Sequence, residues 1–130
     1  AGLLAYSWDA IPYITSKFGV YGFTEGLALY LRPQGVGVSV VCPGMVETNL
    51  GENARLSGVE PGVPWMAGME DFRPIGAEEV AAQVVDAIRA DRFLVLTHPE
   101  YREVLAERGR DLDAAVAARL AGLPDPPRLS

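Results

Sequence analysis

The pattern of apolar positions along the chain predicts helices that alternate with short buried strands. Residues 10–32 form a long apolar stretch closed by a proline and a glycine, which is typical of a helix and its stop signals. Residues 36–42 are rich in valine and alternate little, as expected for a strand covered on both faces. Apolar residues recur at helical spacing over residues 76–91, and residues 93–97 form a second apolar run. Helices and buried strands in this order predict an α/β fold with a parallel sheet.

The remaining segments are less regular. Residues 100–123 predict a charged, alanine-rich helix with a possible break at Gly109, and the proline-rich residues 124–130 predict a flexible tail. Residues 45–75 lack a sustained period but carry many large apolar side chains. A loop of this length is usually functional or disordered. Its many apolar side chains favour a lid over an apolar substrate, and the alternative is a loop that buries these groups on its own core. Residues 1–123 are therefore predicted to belong to a single domain that includes this substrate loop.

Composition narrows the classes of function. The 130 residues suffice for one domain at most, and 49% of them are hydrophobic, as in a globular chain with a core. The net charge of −6 and the lack of a basic cluster make nucleic acid and anionic membranes poor partners. The single cysteine, Cys42, fits a reducing compartment, so we expect a cytoplasmic protein. The single histidine, His98, has no second candidate ligand nearby, which predicts no metal site and favours a loop histidine over a catalytic one.

The first helix is unusual because it leaves almost no polar face. Gly19, Gly22 and Gly26 share one stripe of this helix, although each glycine costs about 1 kcal/mol relative to alanine in a helix. Two interpretations remain open: the sheet of the same chain packs closely on the stripe, or a second subunit does. One sheet face cannot cover a helix that is apolar almost all round. We therefore expect a homodimer or homotetramer, with Tyr21, Leu29 and the glycine stripe as candidate contacts.

Tyr13 and Lys17 are candidates for proton-transfer chemistry. They are four residues apart, so a helix places both on one face, one turn from each other. A lysine ammonium near a phenol stabilises the phenolate, which suits a tyrosine for exchanging protons near neutral pH. The alternative is a half-buried aromatic residue at a helix start beside a surface lysine. Ser16 before the lysine, and a later strand that ends in Pro43 and a glycine, favour the chemical interpretation.

With these residues in this order, the sequence resembles the short-chain dehydrogenase/reductase family over about residues 1–98. The motifs that carry the resemblance are Tyr13-Ile14-Thr15-Ser16-Lys17 and Pro43-Gly44-Met45-Val46-Glu47-Thr48. The resemblance implies the C-terminal half of a Rossmann-like, doubly wound parallel sheet. It also implies an oxidoreductase that moves a hydride between NAD or NADP and a small apolar alcohol or carbonyl substrate.

The motifs of the resembled family imply roles for the two helical residues. Tyr13 would be the catalytic acid and base, and it would lie beside the nicotinamide. Lys17 would bind the nicotinamide ribose and assist Tyr13 by stabilising its phenolate.

The same resemblance implies a cofactor-binding role for four residues that follow the first strand. Pro43, Gly44 and Val46 would line the nicotinamide, with the backbone of Val46 reaching the carboxamide. Thr48 would offer its hydroxyl to the carboxamide or to the pyrophosphate.

Three parts of the family pattern are absent from these 130 residues. They are the glycine-rich turn that seats the pyrophosphate, the residue that chooses between NAD and NADP, and the serine that holds the substrate carbonyl. We therefore expect the sequence to begin inside a longer protein with the usual activity. The alternative is a non-catalytic derivative of the family that acts as an interaction or scaffold module through its apolar helices.

Overall fold

Helices occupy most of the described chain, and a small parallel sheet joins two of the segments between them. The computed structural model describes residues 3–8, 10–49, 53, 73–123 and 125. In chain order the elements are α1 (Ile11–Leu31), a 3-10 turn (Arg32–Gln34), β1 (Val40–Cys42), α2 (Ala77–Arg89), β2 (Leu94–Leu96), α3 (Tyr101–Arg110) and α4 (Leu112–Ala121). This order of helices and strands confirms the predicted α/β class.

The bounds of α1 follow from residues at its two ends. Pro12 lies in the first turn, where its missing N–H would have had no partner within the helix. At the other end the 3-10 turn stops at Gly35, whose φ of 79° is left-handed and is unfavourable for residues that carry a Cβ. The predicted helix and its stop signals are therefore confirmed.

The two strands form a parallel pair, with Val41 opposite Val95 at the centre. α2 makes the crossover between them, because parallel strands cannot be joined by a tight turn. The pair starts where the Val40 N–H donates to the Phe93 carbonyl at 2.7 Å. The predicted parallel sheet is confirmed in this pair of strands.

Both strands are shorter than the sequence predicts. The first was expected over residues 36–42 but starts at Val40, and the second lacks the first and the last of its predicted residues, 93 and 97. The chain just before β2 is the turn that follows α2, with Asp91 at a φ of 46°. Among the described residues, this turn leaves residues 36–39 no extended backbone with which to pair. Ser39 instead donates its hydroxyl to the carbonyl of Arg92 at 2.8 Å.

The faces of β1 also differ from the prediction. Val40 and Cys42 are buried, whereas Val41 between them is 37% exposed. Successive side chains of a strand point to opposite faces, so the described residues cover one face of β1 and leave the other partly open. The expectation of a strand covered on both faces is wrong for this part of the chain.

The C-terminal helical region is two helices rather than one. The break lies at Asp111, whose backbone is extended with a φ of −148°, and not at Gly109 as the sequence suggested. The Asp111 carboxylate accepts a hydrogen bond from the Ala114 N–H at 2.9 Å. This bond caps α4, because the first N–H groups of a helix have no partner within it.

One side of α1 packs on the domain, and another side is open. Ala28 is buried, and the Tyr21 ring meets the Phe93 ring edge-on at a centroid distance of 6.2 Å. Tyr21, expected at a subunit contact, therefore packs within the chain. The large hydrophobic side chains of α1 that are at least 70% exposed are Phe23, Leu29 and Tyr30. No helix in the described ranges is long and apolar enough to cross a membrane.

The glycine stripe of α1 faces open space. A Cβ placed on Gly19, Gly22 or Gly26 would meet no atom within 4 Å. Close packing of the sheet on the stripe, one of the two interpretations of the sequence, is therefore wrong for the described chain. Packing of a second subunit on the stripe, the other interpretation, stays a prediction.

The loop expected over residues 45–75 is described at its two ends. A parallel bridge between Val46 and Ile75 joins these ends. Most of the loop lies outside the described residues, together with the lid expected there. The same holds for the tail expected at residues 124–130, of which only residue 125 is described.

Removing the cap of α4 tests the helix break. Asp111→Ala should lower the free energy of unfolding by about 1 kcal/mol, because the Ala114 N–H loses its acceptor. Asp111→Asn, whose side-chain oxygen can accept the same bond, is the matched control and should retain most of the stability. Urea denaturation followed by circular dichroism measures both. An equal loss in the two variants would contradict a capping role.

Candidate active site

Tyr13 and Lys17 lie one turn apart near the N-terminus of α1. The Lys17 Nζ is 5.2 Å from the centroid of the Tyr13 ring, which is the geometry of a cation–π contact. Tyr13 is 41% exposed and Lys17 is exposed as well, so both side chains can be reached by a ligand. The Ser16 hydroxyl donates to the Tyr13 carbonyl at 2.7 Å. The two side chains thus share one face of the helix, as their spacing predicted.

Two other tyrosines have surroundings that do not suit proton exchange near neutral pH. Burial raises the pKa of Tyr101 to about 12, and the Glu100 carboxylate adds to this shift while Arg119 opposes it. Burial also raises the pKa of Tyr21, whose ring packs on Phe93. A phenol with a raised pKa holds its proton more tightly. Neither residue is therefore a candidate for the acid and base.

The segment that follows β1, residues 43–48, is held against Ile75 by two backbone hydrogen bonds. The Ile75 N–H donates to the Met45 carbonyl at 3.1 Å, and the Glu47 N–H donates to the Ile75 carbonyl at 2.9 Å. These bonds form the parallel bridge opposite Val46. In such a bridge the N–H and C=O of Val46 itself point to the other side of the segment. A backbone edge of this kind offers one donor and one acceptor, which match an amide ligand.

Gly44 packs against side chains that follow β2. Its N–H donates to the Thr97 hydroxyl at 3.0 Å. A Cβ on Gly44 would lie 2.6 Å from the His98 Nδ1 and 2.7 Å from a ring carbon of Tyr101, which is closer than such atoms approach. Only glycine therefore fits here, because it has no Cβ. This requirement is separate from any contact that Gly44 makes with a cofactor.

His98 lies at the centre of this packing. It is 2% exposed; its Nδ1 is 2.8 Å from the Thr97 Oγ1 and its Nε2 is 2.8 Å from the Arg73 carbonyl oxygen. Its ring meets the Tyr101 ring edge-on at a centroid distance of 5.9 Å. His98 lies in a loop, as predicted from the sequence, but its burial and its contacts were not predicted. The strand order could have predicted these contacts, because His98 follows the second strand and the carboxyl ends of neighbouring parallel strands lie at the same edge of a sheet.

The predicted site residues fall into two groups. Tyr13 and Lys17 lie at the start of α1, whereas the other four follow β1, where Pro43 is half-buried and Thr48 is exposed. The contacts described above hold each group in place, and none of those contacts joins a residue of one group to a residue of the other. Among the described residues, no group of three His, Cys, Asp or Glu side chains is arranged to hold a metal ion.

Known proteins share the segment that carries these residues. The family model described as short chain dehydrogenase matches residues 2–57, a range that contains every predicted site residue. A ketoacyl reductase of granaticin polyketide synthase from Streptomyces violaceoruber is 50% identical over 46 residues, which are 35% of this chain and 17% of that protein. The 3-oxoacyl-acyl-carrier-protein reductase FabG of Buchnera aphidicola is 44% identical over 46 residues, which are 35% of this chain and 19% of that protein.

Longer matches extend the similarity beyond that segment. The CLA biosynthesis dehydrogenase/reductase of Lactiplantibacillus plantarum is 32% identical over 114 residues, with 74% of this chain and 39% of that protein covered. A solved structure of a short-chain dehydrogenase from Novosphingobium aromaticivorans matches with a TM-score of 0.59 and 28% identity, over 97% of this chain and 35% of that one. The chain thus spans well under half the length of these relatives, and its fold is Rossmann-like.

Adding a Cβ to Gly44 tests the packing behind the segment after β1. Gly44→Ala should lower the free energy of unfolding by about 1–3 kcal/mol, because the new methyl group overlaps the His98 and Tyr101 rings. Gly109→Ala is the matched control: this glycine has no atom near its Cβ position, and alanine there should raise stability by up to about 1 kcal/mol. Urea denaturation compares the two. A Gly44→Ala protein as stable as the unmodified one would contradict the described packing.

Proposed function

Because the chain belongs to the short-chain dehydrogenase/reductase family, we propose that it contributes the acid/base pair of an NAD(P)-dependent oxidoreductase that interconverts an alcohol and a carbonyl. The observation that carries this proposal is the position of Lys17, whose ammonium lies 5.2 Å from the ring of the exposed Tyr13. The pair is accessible to a ligand and lies on a rigid helix, which suits a group that must meet a substrate oxygen in a defined geometry.

Tyr13 moves the proton in this proposal. In reduction its hydroxyl donates a proton to the substrate oxygen, which carries negative charge as the carbonyl becomes an alcohol. In oxidation the phenolate takes that proton back. The Lys17 ammonium, 5.2 Å from the centroid of the Tyr13 ring, is the positive charge that assists Tyr13 in this proposal. The bound nicotinamide supplies the hydride in reduction and accepts it in oxidation.

The segment after β1 fits the nicotinamide part of this cofactor. The N–H and C=O of Val46 point away from Ile75 and complement the carbonyl and amino groups of a carboxamide. The half-buried Pro43 and Gly44 would line the ring, and the hydroxyl of the exposed residue Thr48 would reach the carboxamide or the pyrophosphate. Lys17 would bind the ribose between them. These residues would make the same contacts with NAD and with NADP, since none of the contacts involves the adenosine ribose, where the two cofactors differ.

A ketone and its secondary alcohol are the substrate pair that the comparisons favour. Two of the similar proteins are named as reductases of ketoacyl or 3-oxoacyl groups. The family model that matches residues 2–57 covers Tyr13 and Lys17, where the reacting carbonyl would lie. We therefore propose a small, predominantly apolar ketone as the carbonyl substrate.

Removing the Tyr13 hydroxyl tests the acid/base assignment. In the intact protein, Tyr13→Phe should lower kcat by about a hundredfold or more, with little change in the Kd of the cofactor, because the hydroxyl acts mainly in the transition state. Lys17→Ala should lower kcat and weaken cofactor binding together, since the ammonium serves both Tyr13 and the ribose. Oxidation of NADH or NADPH with a panel of ketones, followed by absorbance, measures these constants.

Tyr30→Phe is the matched control for this experiment. It removes a phenol hydroxyl from an exposed position on the same helix and should leave kcat unchanged. Full activity in Tyr13→Phe would overturn the proposed mechanism. It would favour the alternative from the sequence, an interaction module that uses the exposed face of α1.

We further propose that the open face of α1 contacts a second copy of the chain in a homodimer or in a homotetramer built from it. Phe23, Leu29 and Tyr30 leave a large apolar surface exposed, and the neighbouring glycine stripe permits a close approach of another backbone. A two-fold arrangement buries the same patch on both subunits at once. Ala28 lies on the other side of this helix and is buried within the chain, so a charge there would disturb the domain itself.

A charge on the open face of α1 tests this assembly. Leu29→Glu should convert the intact protein to a smaller species at micromolar concentration, because each new carboxylate would have to be buried at the contact. Ala117→Glu introduces the same charge on the exposed surface of α4 and should leave the assembly unchanged. Sedimentation velocity measures both. A monomeric unmodified protein would contradict the assembly and would not affect the proposed chemistry.

A further inference from the structure

Three separate segments of the chain meet at His98. Its Nδ1 contacts the Thr97 hydroxyl at the end of β2, and that hydroxyl accepts the N–H of Gly44 from the segment after β1. Its Nε2 contacts the carbonyl of Arg73, two residues before the Ile75 that bridges to Val46. The segment that carries Gly44 and Val46 is therefore fixed on both sides by groups that this one ring joins.

The donors and acceptors of this junction define the tautomer of the ring. A backbone carbonyl can only accept a hydrogen bond, so the hydrogen on His98 Nε2 is the one donated to Arg73. The Gly44 N–H can only donate, so the Thr97 hydroxyl accepts from it and can donate its own hydrogen to His98 Nδ1. With this tautomer every polar group in the chain of bonds has a partner.

We propose that His98 is a positioning residue that orients the backbone of residues 44–46 toward the nicotinamide of the bound cofactor, an inference that rests on the proposed function. His98 acts on Gly44 through Thr97, and on Val46 through the backbone that runs from Arg73 to Ile75. The His98 ring is buried and both of its nitrogens are engaged, so it acts through these neighbours and does not exchange protons with the substrate.

This role predicts a loss that is confined to the nicotinamide half of the cofactor. Val46 would contact the carboxamide, whereas the pyrophosphate and the adenosine half would lie outside the backbone of Gly44 and Val46 that His98 positions. A displaced Val46 should weaken binding of the complete dinucleotide and lower kcat through a misaligned nicotinamide. It should leave unchanged the affinity for the ADP-ribose part of the same cofactor, which lacks the nicotinamide. A general loss of stability would weaken both ligands alike.

The test uses His98→Leu in the intact protein, since leucine fills much of the ring volume and makes neither hydrogen bond. Isothermal titration calorimetry with the preferred dinucleotide, and separately with its ADP-ribose or 2′-phospho-ADP-ribose fragment, gives the two affinities. We expect the dinucleotide Kd to rise roughly three- to tenfold, the size expected for the loss of one net hydrogen bond. The fragment Kd should stay unchanged, and kcat should fall.

Two further variants complete the design. His98→Asn can place its side-chain oxygen near the position of Nδ1, so it should keep the contact with Thr97 and recover most of the dinucleotide affinity. Arg73→Ala removes an exposed side chain and its 3.5 Å ion pair with Glu79, but keeps the carbonyl that His98 contacts. It should therefore bind both ligands like the unmodified protein.

Two results would contradict a positioning role for His98. Equal weakening of the dinucleotide and of the fragment in His98→Leu would assign His98 a purely structural role, and unchanged dinucleotide affinity and kcat would remove any role in positioning. A wrong proposed function can be distinguished from these two results, because the unmodified protein itself would then bind neither the dinucleotide nor its fragment.

Discussion

The sheet edge where β1 and β2 end is the constraint on which the rest of the described structure depends. The strands run in parallel, so their carboxyl ends meet, and the Thr97 hydroxyl receives the Gly44 N–H at that edge. The His98 ring occupies the space that a Cβ on Gly44 would need. Because a buried polar group without a partner is costly, these bonds favour a single position for the backbone after β1. The four predicted cofactor-binding residues that follow β1 depend on that position.

α1 carries both the proposed chemistry and the large open apolar face. Tyr13 and Lys17 lie in its N-terminal part, whereas Phe23 and Leu29 are exposed further along. The buried Ala28 holds the helix on the domain from the opposite side. A helix is rigid over this length, so a subunit packed on the open face would also restrain the turn that carries Tyr13. The proposed assembly and the proposed catalysis would then share one element.

Local signals in the sequence predicted the helices well and the strands less well. The ends of α1 follow from Pro12 and from Gly35, whose effects on the backbone act within a few residues. The length of a strand depends on its partner, and β1 is short because the turn around Asp91 gives residues 36–39 no backbone to pair with. The break at Asp111 was missed because glycine is the stronger general signal, although an aspartate cap is an equally local cause.

By itself the sequence determined the α/β class, the family, and the presence of Tyr13 and Lys17 on one helical face, because spacing along a helix converts directly into position. Tertiary structure alone decided that Gly44 must be a glycine and that His98 is a buried junction, since the contacts of Gly44 with Thr97 and of His98 with Arg73 join residues 25 or more positions apart. It also decided which side of α1 is covered. No local pattern encodes such contacts, because they arise only when parallel strands bring their ends to the same edge of a sheet.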